Sequence, residues 1–474
     1  MRTLIRHELR ALLRSRRLHA ASALVALLLA VAGLASHRAA RDTAVAREAA
    51  VAHARAQWEG LGAYNPHGAA HFGSYAFKPV ATFAMLDGGV DAFVGNVLRL
   101  EGHVQHPPTQ SAVAQDGLLL RFGRLDPALV LHTLVPLVLI FVGFGTVAAE
   151  REAGRLGVLL LHGGRARTIV WSKALALWVV GLLFLLGTGG LLALLSIGSD
   201  ATAQPDWGVR AGLAVSSYAL WYLLIALVVT LVSAIAREAR TALSALLLAW
   251  VGSTVLAPRV LARIAEQQHP LPARAAFEQA MRDDRALGID GHSPEDARQR
   301  ALKDRILAEY GVTEVAALPI NFDGILMQED EEYGNAVWDK HFGALEARVA
   351  DQQRLHRRFA LLDPWLAVRA LSSASAGTDV AHALDFQHQA EAYRRDLIKA
   401  LNREHAMGGS RTDDWEWKAS ATFFQGLPDF AYRRPRLTNV AEDTHVSFVT
   451  LLGWSVVLLG LTSLLAPRLL RPTR

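Results

Sequence analysis

Six stretches of this chain, at 18–36, 128–149, 169–197, 209–235, 241–260 and 446–466, are apolar and almost free of charge. At ~1.5 Å rise per residue, about 20 such residues match a hydrocarbon layer ~30 Å thick. Hydrocarbon offers no partner to a bare backbone N–H or C=O, so a spanning segment must be a helix or part of a closed barrel. The stretches do not alternate apolar with polar residues, which leaves helices. The expected fold is an all-α polytopic membrane protein with about six transmembrane helices. The fifth stretch carries the weakest signal, its most apolar part ending at Pro258 and Arg259. The first contains Ala30-Val31-Ala32 but is longer than the core of a cleaved signal peptide, so it reads as a retained span.

Orientation follows from where Lys and Arg collect, because short cytoplasmic connections retain them. Arg2, Arg6, Arg10, Arg14, Arg16 and Arg17 precede the first span, and Arg151, Arg155, Arg165, Arg167 and Lys173 follow the second. Arg237 and Arg240 lie between the fourth and fifth, and Arg468, Arg471 and Arg474 end the chain. The stretch 198–208 holds Asp200 and Asp206 but no Lys or Arg. With six spans, this pattern predicts both termini in the cytoplasm. These basic segments outweigh the net charge of +5, so the rest of the chain is acidic. Aromatics are not interleaved with the basic residues, and no nucleic-acid partner is expected.

Two long segments, 37–127 and 261–445, then fall outside, far exceeding what joins neighbouring helices. The chain has no cysteine, so they must be stable by packing alone. The Ala-rich stretch 40–60 predicts that the first span continues as a helix above the membrane, whereas 60–73, rich in Gly and His, reads as loop. Further on, Ser293-Pro294-Glu295 starts a helix that ends at Gly311. Another covers 331–359 with a break near Gly343, and Thr378 caps a third that Gly408-Gly409 stop. No strand pattern of comparable strength stands out, which predicts a large, mostly helical extracytoplasmic domain.

Four short patterns bear on chemistry. In 1–17, arginines four apart form one face (Arg6, Arg10 and Arg14 with Arg2) opposite Ile5, Leu9, Leu12 and Leu13. That is an interfacial amphipathic helix reaching lipid phosphates, or simply a positive anchor. In 150–168, charged ends flank the apolar centre Leu156-Gly157-Val158-Leu159-Leu160-Leu161, which suits a surface helix docking on a partner, or an ordinary loop. His67, His71, His103 and His106 offer imidazoles to zinc or copper. Their Gly- and Pro-rich surroundings argue against regular helical spacing, so they read as packed turn residues, and no metal is expected. His341, His356, His382, His388 and His405 have no ligand-like spacing, and 329–332 (Glu-Asp-Glu-Glu) reads as a helix's acidic first turn. A phosphate loop and a G-x-S-x-G elbow are both missing, and the spans carry few ionisable groups, His132 among them. An energy source would have to be another subunit.

The arginine-rich N-terminus, six spans and the 150–164 segment followed by Lys173 resemble the permease subunits of type-2 ABC exporters. The stretches 65–79 and 87–95, with Leu361-Leu362-Asp363-Pro364-Trp365 and Ala376-Gly377-Thr378-Asp379, are similar to a bacterial branch with large extracytoplasmic insertions. That branch is akin to copper-enzyme maturation and gliding-motility permeases. The resemblance implies a multi-pass protein of the bacterial inner membrane, without an ATPase site or cofactor of its own. ATP and Mg would be bound by a partner ABC ATPase subunit. A second permease, self or sister, would complete the dimer, and a periplasmic or outer-membrane protein is a further possible partner. Glu150, Arg151, Glu152, Gly154, Arg155 and Leu159 would belong to the coupling segment. A non-transporting ABC complex for envelope mechanotransmission or signalling is the alternative, and a membrane-anchored metalloenzyme a lesser one.

Overall fold

A computed structural model describes residues 1–81, 83–110, 125–197, 206–289, 291, 294–440 and 442–470. The chain forms, in order, α1 (Arg2–Leu13), α2 (Arg16–Glu59), α3 (Pro66–Phe72), β1 (Ser74–Phe77), β2 (Val97–Glu101) and β3 (Val104–Gln105). It continues with α4 (Pro127–Glu152), α5 (Arg155–Leu161), α6 (Ala166–Leu195), α7 (Trp207–Ile235) and α8 (Ala239–Gln268). It ends with α9 (Arg274–Leu287), α10 (Glu295–Tyr310), α11 (Phe322–Ala360), α12 (Pro364–Ala376), α13 (Val380–Met407), α14 (Ala421–Gly426) and α15 (Glu442–Leu469). Among the described residues six helices, namely α2, α4, α6, α7, α8 and α15, are long and apolar enough to cross a membrane. The protein is an all-α polytopic membrane protein.

The hub of the bundle is α7, which packs on α4, α6, α8, α12 and α15. Its approach to α6 and α4 depends on absent side chains. A Cβ on Gly181 would lie 2.9 Å from the Tyr222 ring, and one on Gly143 2.6 Å from Val229. Small residues at such crossings let helices gain dispersion contacts where no hydrophobic drive exists between them. Leu24, Leu27, Leu186, Leu248, Val449, Val456 and Leu464 point outward and are exposed, an apolar belt that only lipid or another apolar surface suits.

Helix ends depart from the apolar runs. The 44 residues of α2 reach roughly 66 Å at ~1.5 Å each, about twice the hydrocarbon thickness. Its upper half stands against the outer domain, where Trp58 is buried. Likewise α8 continues past Pro258 to Gln268, because a π-helical turn at Gly252–Leu256 accommodates the proline's missing N–H.

The two long segments expected outside fold together into one outer domain. Backbone bonds pair Tyr64 with Ala419, and Asn65 Nδ2 donates to the carbonyls of Trp415 and Trp417. α11 and α13 form the long helical pair, on which α3, α9 and a small antiparallel sheet rest. That sheet, β1-β2-β3 with Ser74 opposite Leu100 and Phe77 opposite Val97, is absent from the sequence expectation. Its strands span two to five residues, too short for an alternation to stand out. Other expectations are corrected as well. The stretch read as loop contains α3, capped by Asn65 with Pro66 in its first turn. α11 runs unbroken through Gly343 and starts at the Asn321 cap, and the cap of α13 is Asp379 rather than Thr378. The N-cap role expected of Ser293 lies outside the described residues.

α12 joins the domain to the bundle. Asp363 caps it and also accepts from Ser253 Oγ of α8 at 2.6 Å. Trp365, Leu366, Ala367, Val368 and Leu371 share the bundle's core, and Ser372 bonds Tyr218 of α7 at 2.8 Å. At the start of α7, buried Arg210 donates to Asp206, to the Ala374 carbonyl and to the Pro435 carbonyl, and faces His382 at 3.2 Å.

Candidate functional site

The end of the bundle away from the domain carries the segment singled out in 150–168. Gly154, at φ +70°, turns the chain between α4 and α5. Glu150 does not face outward. Buried Lys173 donates to Glu150 and to Glu8 of α1, each at 2.8 Å. Arg151 donates to the carbonyls of Ala234 and Ala236 at the end of α7 and of Leu469 at the end of α15. Helix C-termini leave carbonyls unsatisfied and partly negative, so one guanidinium holds two helix ends. Glu152 accepts from the Ala239 N–H at the start of α8 (2.9 Å), and Arg167 donates to the Ser463 carbonyl (2.8 Å). Within α5, Leu156 is buried, while Val158, Leu159 and Leu161 are 55%, 37% and 86% exposed. Arg155 is exposed beside them, as are Arg14 at the C-cap of α1 and Arg6 and Arg10 on α1, whose Leu9 and Leu12 pack on the bundle. Sequence reasoning missed that Glu8 belongs here. A lysine leading an apolar run needs a carboxylate, and Lys173 was that signal.

At the opposite end, a cavity of about 620 Å³ lies where α4, α8, α11 and α12 meet the domain. Asp87, Asp126, His132, His356, Trp365 and Arg369 are among its lining. Asp126 caps α4 through the Leu129 N–H (2.8 Å) and also accepts from the Gly88 N–H. The Arg369 guanidinium lies 4.8 Å from the Trp365 ring, walled by protein yet accessible through the cavity. Burial pushes the Asp87 carboxyl above its ordinary range, opposed by hydrogen bonds and by the Arg369 charge. Trp250, Thr254 and Leu366 also line an adjoining apolar cavity of about 600 Å³, with Leu224, Val228 and Leu246. Among these residues the sequence reading had named His132 and His356 for their chemistry, and Asp87 and Trp365 within the stretches of resemblance. The rest meet across hundreds of residues.

The histidines of the outer domain divide. α3 sets His67 and His71 one turn apart with their Nε2 atoms 3.2 Å from each other. This overturns the expectation that Gly and Pro preclude helical spacing there. His103 joins them from the turn between β2 and β3, and one nitrogen of each ring lies within 4.8 Å of the others. His106 does not join, since its Nε2 bonds Glu101 instead. Buried Glu331 accepts from the His103 backbone N–H and from its Nδ1 (2.9 Å), and its other oxygen accepts from buried Arg394 (3.2 Å). Burial, with His71 and His103 as neighbouring charges, pulls His67 down to about 4. Burial pushes Glu331 up, but the His103 hydrogen bond and the Arg394 charge overcome it and leave the carboxyl below its ordinary range. The acidic run therefore lies inside α11, not in its first turn. Glu329 meets Arg305, Asp330 meets Arg285, and Glu332 meets Lys399. Of the other histidines, His341 pairs with Asp284, His388 with Glu346 and His382 with Asp379.

A family model described as a domain of unknown function (DUF3526) matches residues 274–433, which run from the start of α9 to just past α14. No curated protein and no solved structure matches the chain.

Proposed function

We propose that this chain is the membrane-spanning permease subunit of an ATP-binding cassette exporter, seated in a bacterial inner membrane with both termini cytoplasmic. The observation that carries the reading is α5, a short helix with three exposed aliphatic side chains and a frame of charged side chains bonded inward. Apolar tips on a rigid frame suit insertion into a partner's groove. The resemblance of 150–164 to exporter coupling segments and the basic charge of this end support the same partner, an ABC ATPase that binds ATP and Mg. Arg151 gives the push a route. A displacement of α5 is felt at once by the ends of α7 and α15, and α7 reaches the outer domain through Arg210 and α12. The paired polar and apolar cavities beside α7, α8 and α12 are the space that such a movement reshapes. A second permease would cover part of the apolar belt. Exposed Arg6, Arg10 and Arg14 suit lipid phosphates.

The tie between α7 and the domain also suits a complex that does mechanical or signalling work on an envelope protein instead of passing a substrate. Both versions need the ATPase. Affinity isolation of the tagged chain from its own membranes is expected to bring a stoichiometric ABC ATPase. The double variant L159D/L161D is expected to lower ATPase recovery about tenfold or more while its membrane level stays unchanged. An ATPase missing from the wild-type isolate, or retained in full by the variant, contradicts the reading.

A further inference from the structure

We infer that His67, His71 and His103 form a three-imidazole site for a divalent transition-metal ion, zinc or copper, on the outer domain. Two nitrogens bound to one tetrahedral zinc at ~2.0–2.1 Å lie about 3.3 Å apart. The Nε2 atoms of His67 and His71 are 3.2 Å apart, and the third imidazole converges on them from another element. An imidazole–imidazole hydrogen bond accounts for the pair but gives no reason for His103 to be there. Its presence costs free energy, because His103 adopts φ 65°, the left-handed region that side chains with a Cβ avoid.

The surroundings are built. With Nδ1 of His103 committed to Glu331, the nitrogen it has left for a metal is Nε2. A carboxylate on the far nitrogen of a ligating histidine fixes its tautomer and orientation. Here that carboxylate is itself 2% exposed and held by Arg394, which is 1% exposed. α3 is likewise fixed, by the Asn65 cap below and the Asn65 bonds to Trp415 and Trp417. His71 is exposed, so an ion enters from solvent, and three protein ligands leave one position open for water or another ligand. The chain has no thiolate to offer, and all-imidazole sites favour zinc and copper over magnesium or calcium.

This site stands apart from the permease reading, and either can fail alone. The test uses the full-length chain in detergent, without a histidine tag, stripped by a chelator and titrated with Zn²⁺, Cu²⁺ or Mg²⁺ alone by calorimetry and elemental analysis. The expected result is one equivalent of zinc or copper per chain and no magnesium, with affinity falling at least about tenfold in H71A and in H103A. H106A is expected to bind as wild type does. A folded wild-type chain that takes up no stoichiometric ion overturns the site, as does zinc binding unchanged in H71A. So does equal loss in H106A and H71A. Thermal transitions of each variant, recorded alongside, separate loss of a ligand from loss of the fold. A zinc-dependent rise in the transition is expected for wild type and H106A only.

Discussion

His405 is fully buried, with Nε2 3.3 Å from the Asn321 amide and its ring against Trp415. Burial pulls its pKa below the ordinary value of 6.5. In the unfolded chain the imidazole takes its proton near pH 6.5, while the folded one resists, so the unfolded state binds more protons below that pH. The folded domain thus has its full stability above pH 6.5 and loses it as pH falls from there toward the depressed value. His356 is shifted the same way, by burial and the Arg369 charge. The tryptophan-fluorescence melting transition of chelator-treated protein is expected to fall between pH 7.5 and 5.5. In H405Q the loss should be smaller, and an equal loss contradicts the assignment. At this scale the sequence was legible where the signal is local. Asn65-Pro66 is a cap followed by a first-turn proline, and reading it so would have put His67 and His71 on one helical face. The meeting of His103 with that pair, and of Glu331 with His103, was not legible, because it depends on elements brought together only by the fold.

At the scale of elements, the six apolar runs were legible because hydrocarbon imposes both a length and a helix. The continuation of the first span over 40–60 and the stops at Gly311 and Gly408 were legible too, whereas a helix that packing carries past a local break signal was not. α2 continues because Trp58 is buried under α14, and α11 passes Gly343 because tertiary contact outweighs one glycine's cost. β2 carried a short alternation, with Leu98 and Leu100 inward and Arg99 outward, that five residues were too few to announce. The α6–α7 crossing gives a sharp prediction. G181L drives a side chain into the Tyr222 ring and is expected to cost about 1–3 kcal/mol, lowering the melting transition. G187L, on the same helix where a Cβ meets nothing within 4 Å, is expected to leave it unchanged. Equal effects of the two would contradict the close approach.

For the whole molecule, the proposed function divides the chain into two working ends: α5 on its ionic frame, and the outer domain with its cavities and histidines. On that reading a membrane separates them. The charge asymmetry of the connections and the six spans predict that they lie on opposite sides. The absence of native cysteine makes single-cysteine labelling unambiguous. Leu161 on α5 and Leu287 on α9 are 86% and 58% exposed, so cysteines there are reachable by a reagent on their own side. With a membrane-impermeant maleimide on spheroplasts, L287C should be labelled at once and L161C only after the membrane is permeabilised. Labelling of both from the same side would contradict the account.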